Sequence, residues 1–229
     1  MPRQHTDRDY EAELGQLRHH VLTMGAKIED MIANSMKAFV NHDLELAERM
    51  IQFDHQINCL EIETDDMCLR ILARRQPVAS DLRLITITLK LVTDLERIGD
   101  LVKNICERVI EMGTQVEVHL MPDFEKMFTL VQCMIHEALD AFVACDVERS
   151  KRILERDHEV DVIFSKIFAE LLMDMQKQPS LIYQSSRLQS IAKYLERVGD
   201  HTTNIAEMVV FMAKGQDIRH QMSRHKNEE

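Results

Sequence analysis

Apolar residues recur at steps of three and four along almost the whole chain. Between 84 and 109, Leu84, Ile87, Leu91, Leu95, Ile98, Val102, Ile105 and Val109 draw one stripe, the pattern of a helix that buries a single side. The rhythm pauses at Asn41-His42-Asp43, at Gln76-Pro77, between Gly113 and Pro122, at Cys145-Asp146 and at Gln178-Pro179. Asp43 and Asp146 suit N-caps, since a short carboxylate accepts from the unpaired amides of a first turn. Pro77 and Pro179 suit first turns, where no amide donor is needed. The breaks predict six long helices, near 9–41, 43–75, 78–113, 122–145, 146–177 and 180–214. After Gly215 comes a polar tail expected to fray.

The last three helices echo the first three. LERIGD at 95–100 returns as LERVGD at 195–200, an offset of 100. AFVNHDLE (38–45) answers AFVACDVE (141–148), and DHQI (54–57) answers DHEV (157–160), both at 103. RQP (75–77) answers KQP (177–179) at 102. Four echoes in one order mark an internal repeat of about 100 residues, and the drifting offset is what small deletions in connections produce. Short connections between long helices make neighbours antiparallel. The expected fold is all-α: two tandem antiparallel three-helix bundles, 1–115 and 116–215, with a tail at 216–229 and the boundary near 114–121.

Composition agrees and narrows the chemistry. Hydrophobic residues at 45% can build a core, and only six glycines and four prolines favour long helices over a turn-rich fold. A formal charge of −11 with no basic stripe disfavours nucleic acid as a partner. MPRQHTDRDYEAEL has no apolar core of a secretory signal, and no uninterrupted run approaches the ~18 apolar residues of a membrane span. Cys59, Cys68, Cys106, Cys133 and Cys145 form no CxxC and read as reduced thiols of a cytoplasmic protein.

The repeated hexamer carries oxygen ligands. At about 100° per residue, Asp100, Asn104 and Glu107 lie at about 40°, 80° and 20° from Glu96, while the apolar stripe falls near 180–260°. Glu196, Asp200, Asn204 and Glu207 repeat the row. A solvated polar face is the plainer explanation, and Arg97 and Arg197 favour it as ion-pair partners three residues before each Asp. Against it, Lys103 became Thr203 and Asp94 became Tyr194 while the oxygens stayed. Like charges at i,i+4 also cost a few tenths of a kcal/mol per pair, which a bound cation reverses. Gly99 and Gly199 cost about 1 kcal/mol each in mid-helix, suggesting close approach along that edge. Asp157 and Asp161 on the fifth helix, and Asp54 followed by Asn58 on the second, would complete a carboxylate cluster. All-oxygen ligation suits Mg, Ca or Mn, and bridging carboxylates suit iron.

Other candidates are thinner. Glu155-x-x-His158 stands alone where a ferritin-type di-iron site needs two such pairs. No P-loop, GxSxG or paired Cys/His nucleophile occurs, so no catalytic residues are assigned and the chain is not expected to be an enzyme. Arg70, Arg74, Arg75 and Arg83 cluster in the first half only, as a candidate partner-binding segment or as ordinary partners of a helix C-terminus.

Doubled ERIGD…N…E and ERVGD…N…E on helical half-repeats, with RRQPVASDLR in the first alone, resembles the PhoU family of phosphate-specific transport accessory proteins over nearly the whole chain. The family's repeated E(D)xxxD motifs fall on Glu96–Asp100, Glu196–Asp200 and Asp157–Asp161, with Asp54–Asn58 degraded. The resemblance implies a cytoplasmic negative regulator of the phosphate-starvation response, linking the phosphate ABC transporter ATPase to a sensor histidine kinase. It also implies a homodimer that meets the membrane only through partners, and metal ions (Fe, Zn, Mn, Mg or Ca) on the motif faces. A carboxylate-bridged metal enzyme and a metal-free helical scaffold are the competing classes.

Overall fold

The computed structural model describes residues 8–114 and 119–215. They form six helices: α1 (Arg8–Asn41), α2 (Leu44–Arg75), α3 (Ala79–Met112), α4 (Met121–Ala144), α5 (Val147–Lys177) and α6 (Ile182–Lys214). The expected boundary between halves runs through 115–118, and the tail begins at 216; both lie outside the described residues.

The joints repeat atom for atom. Asp43 accepts from the Leu46 amide at 2.9 Å, and Asp146 accepts from the Arg149 amide at 3.0 Å. Just before them, His42 and Cys145 take the left-handed conformation at φ 52° and 50°. The amides of Asp43 and Asp146 then reach back to Ala38 O and Ala141 O, both at 3.0 Å, closing the last turns of α1 and α4. The prolines differ from expectation. Val78, extended, is the N-cap of α3, so Pro77 stands ahead of the cap rather than in the first turn. Pro179 opens a short 3-10 turn, Pro179–Leu181, that leads into α6.

Each half is a three-helix bundle, and the two share one core. α1, α3, α6 and α4 close a ring, each packed on the next, with α2 outside against α1 and α3 and α5 outside against α4 and α6. Across the junction α1 therefore meets its repeat mate α4, and α3 meets α6. Phe39 of α1 stacks near Phe124 and Phe128 of α4, ring centroids 5.1 and 6.0 Å away. Gly25 lets α4 approach: a Cβ there would stand 2.4 Å from Leu139 Cδ1. α3 and α6 are fastened at both ends and in the middle. Arg83 Nε donates to Met212 O at 3.3 Å, Arg187 pairs with Glu111 at 2.5 Å, and Asp94 meets His201 at 2.7 Å.

One helix departs from the sequence expectation. α4 is long and apolar enough by composition to cross a membrane, with a mean hydropathy of 1.3 over eighteen residues. Half of that window is buried. A ring helix touching α1, α5 and α6 needs apolar residues round more of its circumference than one stripe supplies.

Candidate functional site

The carboxylate row lies along the seam between α3 and α2, and its repeat along the seam between α6 and α5. The seam is set by the two glycines. A Cβ at Gly99 would stand 3.3 Å from Asp54 Oδ1 and 3.2 Å from Ile57; at Gly199 it would stand 3.2 Å from Asp157 Oδ1. What approaches the glycine edge is thus the aspartate of the outer helix, in the same place in both halves. This aligns Asp54 with Asp157 in space as the echo DHQI/DHEV does in sequence.

The row is tucked in at Asp54, Glu96 and Glu196 but open to solvent at Asp200 and Asn204. Side chains of Glu96 and Glu196 are only 17% and 14% exposed, and Asp54 is buried. The geometry from Glu96 placed the row opposite the core stripe; the outer helix, leaning across that side, covers Glu96 and Glu196 and leaves Asp200 exposed. Burial raises the Glu96 carboxyl above its ordinary value, with Asp100 and Glu61 adding to the rise. Asp200 is raised by burial, then by Glu196 and Asp161.

α2 brings two acids that the motif reading missed. Glu61 and Asp65 continue the face of Asp54 and Asn58, at about 340° and 20° from Asp54. Burial and the Asp65 charge raise Glu61, and burial raises Asp65. The spacing was readable, but the second half has Phe164 and Phe168 at these positions, so a search for repeated acids passes over them.

The halves differ most at Lys103. Its Nζ lies 3.2 Å from Asp54 Oδ2, which also accepts from Asn58 at 3.4 Å. Asp54 Oδ1 has no hydrogen-bond partner among the described residues. Lys103 is held more basic than usual by Asp54 first, then by Asp100 and Glu107. Its counterpart Thr203 turns its hydroxyl onto its own helix, donating to Asp200 O at 2.7 Å. The second row has a lysine too, but Lys193 lies on Glu196 at 2.6 Å and is half exposed.

Other candidates are spread out. The Asn204 amide donates to Asp94 of α3 at 3.3 Å, so it serves the α3–α6 junction. Glu107 pairs with Arg108 at 3.5 Å, Asn104 and Glu207 are half-buried, and Arg97 bridges Glu96 and Asp100 at 3.6 and 3.7 Å. Among the described residues no three Asp, Glu, His or Cys side chains converge closely enough to hold a metal ion as they stand. Of the arginines, Arg75 grips Glu13 through two contacts of 2.9 Å and Arg83 caps the end of α6; Arg70 and Arg74 are exposed.

The PhoU domain model matches this chain twice, at 21–109 and at 124–209, once for each three-helix unit. The chain belongs to the PhoU family. The "Phosphate-specific transport system accessory protein PhoU" of Escherichia coli (strain K12) is 36% identical over 216 residues, 94% of this chain and 90% of that protein. The crystal structure of PhoU from Pseudomonas aeruginosa superposes with a TM-score of 0.87 at 37% identity, covering 90% of this chain and all of that one. That of the phosphate transport system regulatory protein PhoU from Streptococcus pneumoniae gives 0.85 at 27%, covering 91% and 98%. By these names the PhoU relatives are accessory and regulatory proteins rather than enzymes.

For a PhoU-family metal, the two rows differ in fit. The second has oxygen donors that repel one another, but no three of them converge on one point as they stand. The first already has an ammonium on its buried aspartate and does not fit a second cation there.

Proposed function

We propose that this chain represses the phosphate-starvation response when phosphate is plentiful and modulates phosphate uptake. It does so by contact, joining the ATPase of the phosphate ABC transporter to the cytoplasmic part of a sensor histidine kinase. The observation that carries this reading is the family match over both halves, with relatives named as accessory proteins of a phosphate-specific transport system.

The protein acts in the cytoplasm as a homodimer and reaches the membrane only through its partners. Arg70 and Arg74, exposed beside the structurally committed Arg75 and Arg83, supply a docking patch on the first half. The second half draws a divalent or trivalent cation into Glu196, Asp200, Asp157 and Asp161. Glutamate and aspartate rotamer changes bring the oxygens together, and the ion supplies positive charge to an acidic seam.

The test deletes the gene and follows a phosphate-starvation reporter in phosphate-rich medium. The reporter switches on in the deletion and off again on complementation, and Arg70→Ala/Arg74→Ala complements poorly. Purified chain captures the transporter ATPase and the kinase's cytoplasmic domain, and chelator weakens one of the two. Normal repression in the deletion strain overturns the regulatory reading. Capture that ignores chelator removes the cation from it.

A further inference from the structure

Among the described residues four non-glycine residues take the left-handed conformation, and two of them, Gln76 and Ala79, lie in the one short elbow between α2 and α3. Gln76 has φ 47° and ψ 56° directly before Pro77, where the proline ring pushes its predecessor toward extended backbone. Ala79, at φ 48°, opens α3 in a region where Cβ crowds the following carbonyl. Between them stands Val78, 69% exposed, the most exposed large apolar side chain among the described residues; Leu82, four residues on, is 41% exposed. The matching joint of the second half has Ser180 in place of Val78, and Gln178 before its proline is extended at φ −140°. We propose that the elbow, residues 76–79, is a preformed docking knob: Val78 enters an apolar pocket on a protein partner, and Arg70 and Arg74 meet carboxylates on the rim of that pocket.

Strained backbone persists only where its surroundings hold it, and here both stems of the elbow are tied to one turn of α1. Arg75, the last residue of α2, donates to Glu13 from Nε and Nη2, both at 2.9 Å, and lies 5.9 Å from the centre of the Tyr10 ring. Asp81, in the first turn of α3, accepts from the Tyr10 hydroxyl at 3.2 Å. Arg83 then fastens the same turn of α3 to Met212 O of α6. These contacts grip the stems and leave the tip uncovered. An apolar side chain held out by fixed backbone has little freedom left to lose on binding, which is what an anchor requires. Charge defines the partner. On a chain of −11, Arg70 and Arg74 stand exposed just ahead of the elbow, while the acids at its stems, Glu13 and Asp81, are engaged by Arg75 and Tyr10. A convex apolar tip beside two exposed cations fits an apolar pocket rimmed by carboxylates.

This rests on the adaptor reading above, and the experiment separates the two. The full-length chain is immobilised, and binding of the purified transporter ATPase and of the kinase's cytoplasmic domain is followed by surface plasmon resonance. Val78→Ser, which installs the residue of the second joint, weakens one of the two partners at least tenfold, mainly through faster dissociation. Arg70→Ala/Arg74→Ala slows association of that same partner and flattens its salt dependence. Glu13→Ala releases one stem and weakens the partner with Val78 still in place. Leu22→Ser, at an exposed leucine of α1, changes neither partner. Val78 and Leu22 are surface positions, so both serine variants keep the circular dichroism of the natural chain. Equal binding by Val78→Ser and the natural chain, or an equal loss in Leu22→Ser, overturns the knob and leaves the adaptor reading standing. Full affinity in Glu13→Ala overturns its being preformed. A natural chain that binds neither protein sinks the adaptor reading and the knob together. Binding to anionic phospholipid vesicles that Val78→Ser abolishes, with neither protein bound, would give the elbow to a membrane surface and overturn the protein partner.

Discussion

A single carboxylate in these seams is held against its own charge, and that gives a pH signature with a definite sign. Glu61 and Glu96 lie above their ordinary 4.5, and Asp200 above its ordinary 3.8, because burial and neighbouring acids disfavour ionisation. The folded chain binds these protons more tightly than the unfolded chain does. Their contribution to stability is complete below the ordinary values and is lost as pH rises through the raised ones. In chelated protein, thermal stability should therefore fall as pH climbs from the ordinary carboxylate range to neutrality, and Asp200→Asn should flatten that fall. Asp146 and Glu148 run the other way, lowered by the Arg149 amide and by Lys151, so the comparison with Asp200→Asn is what isolates the seam. Parallel pH profiles for the two proteins would remove the repulsion at Asp200. Part of this geometry was legible from spacing: Gly99 and Gly199 signalled a close approach along their edge, and Asp54 and Asp157 are what approach them. Lys103 was not, because its loss in the second half read as the scrambling of a solvated position. Asp94 and His201 were not either, since a contact between halves has no echo in the other copy.

Helices were the most readable level, for the reason that their signals are local. The period of three and four, the capping aspartates and the repeated left-handed joint all lie within a few residues of what they specify. Which helix faces which is settled by shape at distance, and Gly25 shows why it escaped. In sequence a lone helical glycine registers only as a cost of about 1 kcal/mol; in the fold it is the notch into which Leu139 of α4 fits. A Cβ there meets Leu139 Cδ1, Cδ2 and Cγ at 2.4, 2.7 and 3.1 Å, so the whole leucine has to move, and it is buried. Gly25→Ala should cost about 1–3 kcal/mol by overpacking, despite alanine's better helix propensity. Leu139→Ala opens a cavity by itself, but in the double variant each change relieves the other. Urea denaturation of the four proteins should show a coupling of about 0.5 kcal/mol or more. Strict additivity would mean that α1 and α4 do not meet at this notch.

Across the whole molecule, the repeat is not two domains on a string. The ring of α1, α3, α6 and α4 puts one face of each bundle inside the other's core: Phe39 lies among Phe124 and Phe128, and Gly25 receives Leu139. Arg83 on Met212 O and Glu111 on Arg187 fasten the two ends of the α3–α6 pair. Relative motion of the halves would break the Arg83 hydrogen bond at one end and the Arg187–Glu111 ion pair at the other, and expose the aromatic cluster with them. The prediction is that 1–115 and 116–215 do not stand alone. Cut apart, each bundle presents an apolar face larger than soluble monomers tolerate, and such faces find one another. Expressed singly, each half should self-associate or precipitate; expressed together, they should elute as one pair with the mass of a single chain in size-exclusion chromatography with light scattering. A monodisperse, fully helical monomer of either half would show that the ring is not the unit of stability.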